Sequence, residues 1–299
     1  MPNTDFTLKP EERCGHYVDS DIKKLWSVQL DLLEQVKLIC KKHNINYYAL
    51  GGTLLGAIRH KGYIPWDDDI DICMLADEYE RFCKIAPYEL TGKYYFQIAS
   101  DMARIRNSNT TAVTGGDLKK LRFDKNHNCG IFIDIFPLHN IFDSKCLRMM
   151  QKFVLYILDR MSVGREKEEL LNSNFKKYWK FYFSKAVLLW KGFSLFYDYE
   201  DYFTFKKSAV KMCKKSNRLG LVSFMGIKEK YMWDAKWFSE GIECTFENTT
   251  VFCPKEYDSI LRQQYGDYMV FKKGGALHTM EVFDAEVPYR EKLKEYYKE

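Results

Sequence analysis

Hydrophobic and polar positions along the 299-residue chain alternate between helical and strand periods. Apolar residues between 20 and 41 recur every three or four positions, which predicts an amphipathic helix capped by Asp19 or Ser20. The apolar run 45–50 predicts a strand. Further along, the pattern predicts helices over 53–60 and 77–86, strands over 67–75, 94–98, 102–113 and 130–141, and a loop over 115–128.

From residue 144 the pattern changes to long helical segments rich in aromatic residues and lysine: 144–163, 166–197 and 200–217. Short strands return at 222–224 and from 237. This order predicts an α/β (α+β) fold, a mixed-sheet core with a helical addition. We predict a catalytic core over 1–143, a helical insertion over 144–220, and a C-terminal part over 221–299 that completes the core and its pocket.

An acidic stretch directly follows Trp66, with four carboxylates in five positions: Asp67, Asp68, Asp69 and Asp71. In an extended strand, residues i and i+2 share a face, so Asp67, Asp69 and Asp71 point the same way. Three acids on one face repel one another unless a cation neutralises them, and Mg²⁺ prefers such oxygen ligands. The alternative is a solvated acidic turn, which the apolar strand residues that follow make less favourable.

A phosphate site is predicted just before the acidic stretch. Gly51 and Gly52 allow a close approach to the backbone, and a helix that starts at Thr53 would favour an anion at its N-terminus. Three basic residues follow: Arg59, His60 and Lys61. Their alternative role is a solvated helix end, and Trp66 either packs on the core or stacks on a base or sugar.

Two later strands carry charged residues among apolar ones. Asp134 is a lone carboxylate in an apolar strand and is costly to bury without a partner. We therefore expect Asp134 to be the third acid of the metal site, as metal ligand and general base. The alternative is a structural Asp bound to backbone or to an arginine. Arg104 shares a face with Arg106, and its guanidinium matches phosphate oxygens; a surface salt bridge is its alternative.

The composition of the chain restricts its cellular location more than it restricts the class of its ligand. The net charge of +5 suits a polyanionic glycan, a nucleotide or an anionic membrane, and no basic cluster indicates nucleic acid. Nine cysteines without a C-x-x-C pair predict reduced thiols and a cytoplasmic protein. A zinc site from Cys213, Cys244, Cys253 and a histidine lacks the usual spacing.

No N-terminal signal is expected from the polar first residues, and the longest apolar stretch, 181–199, contains charges that argue against a membrane span. Aromatic residues beside lysines in the second helical segment fit either a helical core or a helix on the inner membrane surface: Trp179, Phe181, Tyr182, Phe183, Trp190 and Phe193.

The stretch GGTLLGAIRHKGYIPWDDDID, residues 51–71, resembles the signature of the LicD family, which is also seen in fukutin-related protein, within the nucleotidyltransferase superfamily. Shorter matches lie near 104, 134 and 265. The resemblance implies a nucleotidyltransferase-like core and a place for Tyr265 at the acceptor or nucleotide pocket. The chain departs from the family over 270–274, where a proline-rich stretch is expected, and His278 stands for a downstream histidine.

The resemblance also implies a reaction: transfer of phosphocholine, or a similar phospho-alcohol, from CDP-choline or another CDP-alcohol to a glycan or lipid-linked glycan. Teichoic acid, lipopolysaccharide and capsule are such acceptors. Asp69, Asp71 and Asp134 would bind Mg²⁺, or alternatively Mn²⁺, and Asp67 would supplement them. The residues alone imply only metal-assisted phosphoryl or nucleotidyl transfer. A nucleotidyltransferase that releases pyrophosphate from an NTP, and an inactive glycan- or nucleotide-binding protein, stay open as alternatives.

Overall fold

A computed structural model describes residues 6–99, 102–121, 124, 126–173, 184–195, 197, 199–222, 226–272, 274 and 280–294. The chain divides into two compact units. The first unit is formed by Met1–Leu138 with Lys236–Glu299, and the second by His139–Ala235. The three-part division drawn from the sequence stays a prediction.

The described residues form strands and helices in a mixed order, so the predicted α/β class is confirmed. The strands are β1 (Glu11–Arg13), β2 (His16–Val18), β3 (Tyr48–Ala49), β4 (Asp71–Leu75), β5 (Tyr94–Ala99), β6 (Met102–Asn107), β7 (Thr111–Thr114), β8 (Ile131–Asn140), β9 (Arg218–Gly220), β10 (Met232–Asp234), β11 (Gly241–Phe246), β12 (Thr249–Pro254) and β13 (Met280–Asp284). The helices are α1 (Ser20–His43), α2 (Gly51–Arg59), α3 (Ala76–Glu89), α4 (Gly115–Leu121), α5 (Lys145–Ser173), α6 (Lys185–Ser194), α7 (Tyr199–Val210), α8 (Tyr257–Tyr265) and α9 (Tyr289–Lys292).

The main sheet of the first unit has the order β3-β4-β8-β6-β5. Strand β4 is parallel to β8, whereas the other neighbours are antiparallel. The register places Asp134 of β8 opposite Asp71 of β4 on one side and opposite Arg104 of β6 on the other. Three charged residues far apart in sequence therefore become neighbours in the middle of the sheet.

Helix α1 fixes the loop that precedes β4. The helix begins after Asp19, whose carboxylate accepts hydrogen bonds from the amides of Asp21 and Ile22, so the predicted cap is confirmed as Asp19. On its buried face, the indole N–H of Trp26 donates to the Asp67 carbonyl at 2.9 Å. The Gln29 amide donates to the Asp68 carbonyl at 2.8 Å. The backbone of the acidic loop is thus held by side chains of α1.

Two elements were missed in segments that looked irregular. The polar start contains the hairpin β1–β2, whose two turn residues, Cys14 and Gly15, both have positive φ as a tight hairpin requires. The expected loop 115–128 contains α4. Here Thr114 and Asp117 form a reciprocal cap, in which the Asp117 carboxylate accepts from the Thr114 amide and the Thr114 hydroxyl accepts from the Asp117 amide.

Several other predicted elements have different bounds in the structure. The acidic strand begins only at Asp71, and the four preceding residues of the predicted strand, 67–70, lie in a loop. Helix α2 begins at Gly51 rather than Thr53, and α5 continues through the expected break near 164. Val222 is not in a strand, and the rest of that predicted strand lies outside the described residues.

The second unit packs α5, α6 and α7 with a short antiparallel pair, β9 and β10. Trp190 is buried in its core beside Tyr202, so this part of the predicted aromatic stripe is core. Trp179, Phe181, Tyr182 and Phe183 lie outside the described residues. Among the helices that the structure describes, none has the length and apolar character to cross a membrane.

Replacing Trp26 by Phe tests whether α1 holds the acidic loop. The change removes the N–H that donates to Asp67 and keeps an aromatic ring against Tyr63, on which Trp26 stacks at 4.4 Å. We expect the free energy of unfolding in urea to fall by about 1 to 3 kcal/mol, the cost of leaving a buried carbonyl without its donor. The same change at the partly exposed Trp237 is the control; equal stability losses in both variants would contradict the assignment.

Candidate active site

The acidic loop brings its carboxylates together. One oxygen from each of Asp67, Asp68 and Asp69 lies within 4.8 Å of the others. Asp71 follows at the first position of β4, and Asp67, Asp69 and Asp71 line one pocket. The grouping expected from strand alternation is therefore present, although a loop rather than a strand produces it for the first two residues.

Burial and mutual repulsion disfavour the charged form of two of these carboxylates, Asp67 and Asp71. Burial, and next the charge of Asp69, raise the pKa of both Asp67 and Asp71 well above the usual range of a carboxyl group. The Oδ2 atom of Asp67 is buried and accepts no hydrogen bond within the described part of the chain. A buried carboxylate oxygen without a donor needs a proton or a cation. The oxygen-rich, mutually repelling set fits a hard divalent ion such as Mg²⁺.

The start of α2 lies against the same carboxylates. A Cβ atom on Gly52 would come within 2.5 Å of Asp67 Oδ2, and one on Gly51, which has φ +56, would lie 3.4 Å from Asp71 Oδ2. The Thr53 hydroxyl accepts a hydrogen bond from the Asp71 amide at 2.8 Å. Thr53, predicted to bind substrate, therefore holds the start of β4. Among the described residues no side chain caps α2, and the first amides of an α-helix have no partner within the helix.

The pocket in front of these residues has a volume of about 310 Å³. Its predicted members are Gly52, Arg59, Trp66, Asp67, Asp69, Asp71 and Tyr265. Asp267, which the sequence places next to Tyr265 at the border of this pocket, also lines it. The sequence did not assign the rest of the wall: Leu55, Ile64, Tyr268, Val270, Lys272 and Gly274. A Cβ on Gly274 would come within 2.8 Å of the Trp66 indole nitrogen, so the segment after α8 lies directly on that ring.

Of the three basic residues at the C-terminal end of α2, only Arg59 is among the described residues that line the pocket. Arg59 lines the pocket, donates to the Tyr268 carbonyl at 2.7 Å, and donates to the His60 ring at 2.9 Å. Burial, followed by the charge of Arg59, lowers the pKa of His60 to about 4, so this ring is neutral at pH 7. His60 and Lys61 are not among the pocket residues, and the Lys61 carbonyl instead accepts a hydrogen bond from Glu247.

Asp134 and Arg104 form a buried ion pair behind the pocket. The Arg104 guanidinium donates to both Asp134 oxygens, at 2.6 and 3.2 Å. Neither residue lines the pocket, although the Asp134 charge contributes to the raised pKa of Asp71. The structure thus pairs the two predicted site residues with each other. Their roles as metal ligand and phosphate contact stay predictions.

Asp117 is the centre of a second, buried polar cluster, in which hydrogen-bond donors surround its carboxylate. Asp117 accepts hydrogen bonds from Arg106 at 2.8 Å and from His127 at 2.7 Å, and the other His127 nitrogen contacts Gln97. Burial alone would raise the pKa of Asp117, but the His127 hydrogen bond and the Arg106 charge offset it and lower the pKa far below the usual range. Cys129 completes a group with metal-binding spacing. Its pKa of about 12, raised by burial, and the adjacent guanidinium argue against a cation there.

Comparison with known proteins first defines the class. Residues 44–161 match the family described as LicD/FKTN/FKRP, nucleotidyltransferase domain. That range includes the acidic loop, α2 and the Asp134–Arg104 pair.

A longer match defines the family. The chain is 31% identical over 259 residues to the lipopolysaccharide cholinephosphotransferase LicD of Haemophilus influenzae, which covers 81% of this chain and 89% of that protein. The chain belongs to the LicD family. Shorter matches connect it to two uncharacterized rickettsial proteins: one of Rickettsia typhi, 43% identical over 19% of this chain and 18% of its own length, and one of Rickettsia prowazekii, 41% identical over 26% and 28%.

Gly52→Ala tests the close approach of α2 to the acidic loop. The new methyl group would displace the Asp67 carboxylate from its position over the helix start. We expect turnover to fall by a factor on the order of 10² while the melting temperature changes little, since about 1 Å of misplacement has this effect in enzymes. Gly192→Ala, where a Cβ meets open space, is the matched control. Full activity in Gly52→Ala would refute the arrangement.

Asp117→Asn tests the saturated cluster. The pKa of Asp117 is lowered in the folded protein, so its carboxylate stabilises the fold at neutral pH. This contribution decreases progressively as the pH falls below about 5 towards the lowered pKa. We expect the variant to lose about 3 kcal/mol at pH 7 and to show a smaller further loss between pH 7 and pH 3 than the unmodified protein. Chemical denaturation at both pH values measures this, with the exposed Asp258→Asn as control. Parallel pH profiles would count against the assignment.

Proposed function

We propose that this chain transfers phosphocholine from CDP-choline to a glycan acceptor in a reaction that depends on Mg²⁺. Membership of the LicD family makes the chain a transferase, and its relative from Haemophilus influenzae is named for cholinephosphate transfer to lipopolysaccharide. The observation that carries the proposal is the group of carboxylates, Asp67, Asp69 and Asp71, that lines one pocket at the start of α2.

Asp69 and Asp71 would hold the metal ion, Mg²⁺ or alternatively Mn²⁺. When bound, the ion supplies neutralisation of the negative charge that develops as the diphosphate bond breaks. The chain itself supplies the other phosphate contacts. The amides at the start of α2 are suited to phosphate oxygens, and Arg59 and Lys272 add positive charge to the pocket wall.

In the proposed reaction, an acceptor hydroxyl attacks the phosphorus that carries choline. The bond from this phosphorus to the bridging oxygen breaks, and CMP leaves with that oxygen. Asp67 is our candidate for the group that takes the hydroxyl proton, because it lines the pocket beside Asp69 and Asp71 and a carboxylate within reach of a hydroxyl can act as a general base. Trp66 and Tyr265 provide aromatic surface in the same pocket for the choline or nucleotide group.

The location and acceptor follow as further parts of this proposal. The nine free thiols fit a reducing compartment, so we propose that the reaction takes place in the cytoplasm. Lipopolysaccharide is the first acceptor to test, because it appears in the name of the relative. Teichoic acid and capsular glycan are the next.

The discriminating experiment incubates the purified protein with Mg²⁺ and CDP-choline, CDP-ribitol, CDP-glycerol or NTPs, with and without these glycans. We expect CMP from CDP-choline when an acceptor is present, and no CMP after chelation of the metal. CMP from only another CDP-alcohol would change the transferred group. Pyrophosphate from an NTP would instead indicate a nucleotidyltransferase, and donor binding without turnover in the presence of Mg²⁺ and every acceptor would indicate a binding protein.

Asp71→Asn makes the test specific to the carboxylate group. The amide removes one negative oxygen while keeping the side-chain shape, so we expect CMP release to fall by a factor on the order of 10³. Asp77→Asn, at an exposed position at the start of α3, is the matched control and should retain full activity. An Asp71→Asn variant with full activity would refute the metal assignment.

A further inference from the structure

Helix α5 carries apolar residues on two opposite faces. On one face, Leu155 and Leu158 pack in the core of the second unit. On the other face, Met149, Phe153 and Tyr156 follow one another at helical spacing and are 61%, 65% and 59% exposed. A surface helix normally presents polar residues to water, and contiguous exposed apolar side chains mark an interaction surface. We call these three residues the α5 stripe.

The surroundings of the α5 stripe are basic. Lys145, Lys152 and Arg160 are exposed on the same helix. The one acid between residues 145 and 160 is Asp159, which pairs with Lys206 at 3.6 Å. The sequence from 139 to 235 has 19 lysines and arginines against 10 aspartates and glutamates, a net charge of +9 in a chain whose total is +5. Positive charge is therefore concentrated in the unit that carries the stripe.

We propose that the α5 stripe docks on an anionic phospholipid surface. Methionine, phenylalanine and tyrosine side chains enter the boundary between headgroups and acyl chains, while lysine and arginine reach the lipid phosphates. A second copy of the chain fits less well, because two units of charge +9 repel each other. Nucleic acid would match the charge but leave the apolar side chains without a partner, since phosphate contacts are polar.

This surface differs from the one expected from the sequence, which lay in 166–197. Of its two described aromatic members, Trp190 is core and Phe193 packs against that core. Docking at this surface is also independent of the proposed reaction. Docking requires neither donor nor metal, so a vesicle experiment succeeds or fails independently of the transfer assay.

The experiment is co-sedimentation of the full chain with vesicles of phosphatidylglycerol mixed with phosphatidylcholine, and with vesicles of phosphatidylcholine alone. We expect binding to the anionic vesicles that weakens as salt is added. Phe153→Glu should lower the partition coefficient about tenfold without changing the melting temperature, because it places a charge at the centre of the stripe. A variant with Lys145, Lys152 and Arg160 all replaced by Gln should reduce binding to the level seen with neutral vesicles.

Tyr88→Glu, a change at an 86% exposed aromatic residue of α3, is the matched control and should bind as the unmodified protein does. Equal partitioning of the Phe153→Glu and unmodified proteins would overturn the proposal. So would a dimer, seen by light scattering, that Phe153→Glu dissociates while neither protein binds vesicles. Binding of bulk RNA in place of vesicles, unaffected by Phe153→Glu, would also overturn it.

Discussion

The mutual repulsion of Asp67, Asp69 and Asp71 is the constraint on which the site depends. Buried carboxylates of like charge raise one another's pKa, and a chain would separate them if the backbone were free to move. Here Trp26 holds the Asp67 carbonyl and Thr53 holds the Asp71 amide. Both anchors engage the backbone and leave the side-chain oxygens for a cation or a substrate. The fold therefore holds repelling groups together at a cost that a ligand can offset.

The acids outside the pocket differ from the pocket carboxylates in their partners. Asp117 has a guanidinium and an imidazole on its oxygens, and Asp134 has the Arg104 fork. Their charge is balanced within the protein, and neither side chain lines the pocket. Burial and like charge instead raise the pKa of the pocket carboxylates Asp67 and Asp71. The two groups therefore differ in the charges that surround them: cations lie next to Asp117 and Asp134, whereas carboxylates lie next to Asp67 and Asp71.

The local sequence pattern was sufficient to predict much of the fold and of the acidic loop. Alternation and the density of acids indicated the sheet class and the acidic loop, because both depend on neighbouring residues. The Asp134–Arg104 pair depends on the register between two strands. The pocket wall around Lys272 comes from a segment about 200 residues after the acidic loop in the sequence. Single-sequence reasoning has no access to such contacts. The missed helix α4 did have a local signal, the Thr114 to Asp117 capping box, in a segment that we expected to be a loop because it is polar.

The most direct test of the account is crystallographic. Crystals soaked with Mn²⁺ and CDP-choline would be measured at the manganese absorption edge, where an anomalous peak locates the ion without reference to activity. If Asp69 and Asp71 hold the metal ion, the peak will be in contact with both, in the pocket that Asp67 also lines. An ion at Asp117, His127 and Cys129 instead, or an acidic loop without anomalous density at saturating Mn²⁺, would contradict this assignment.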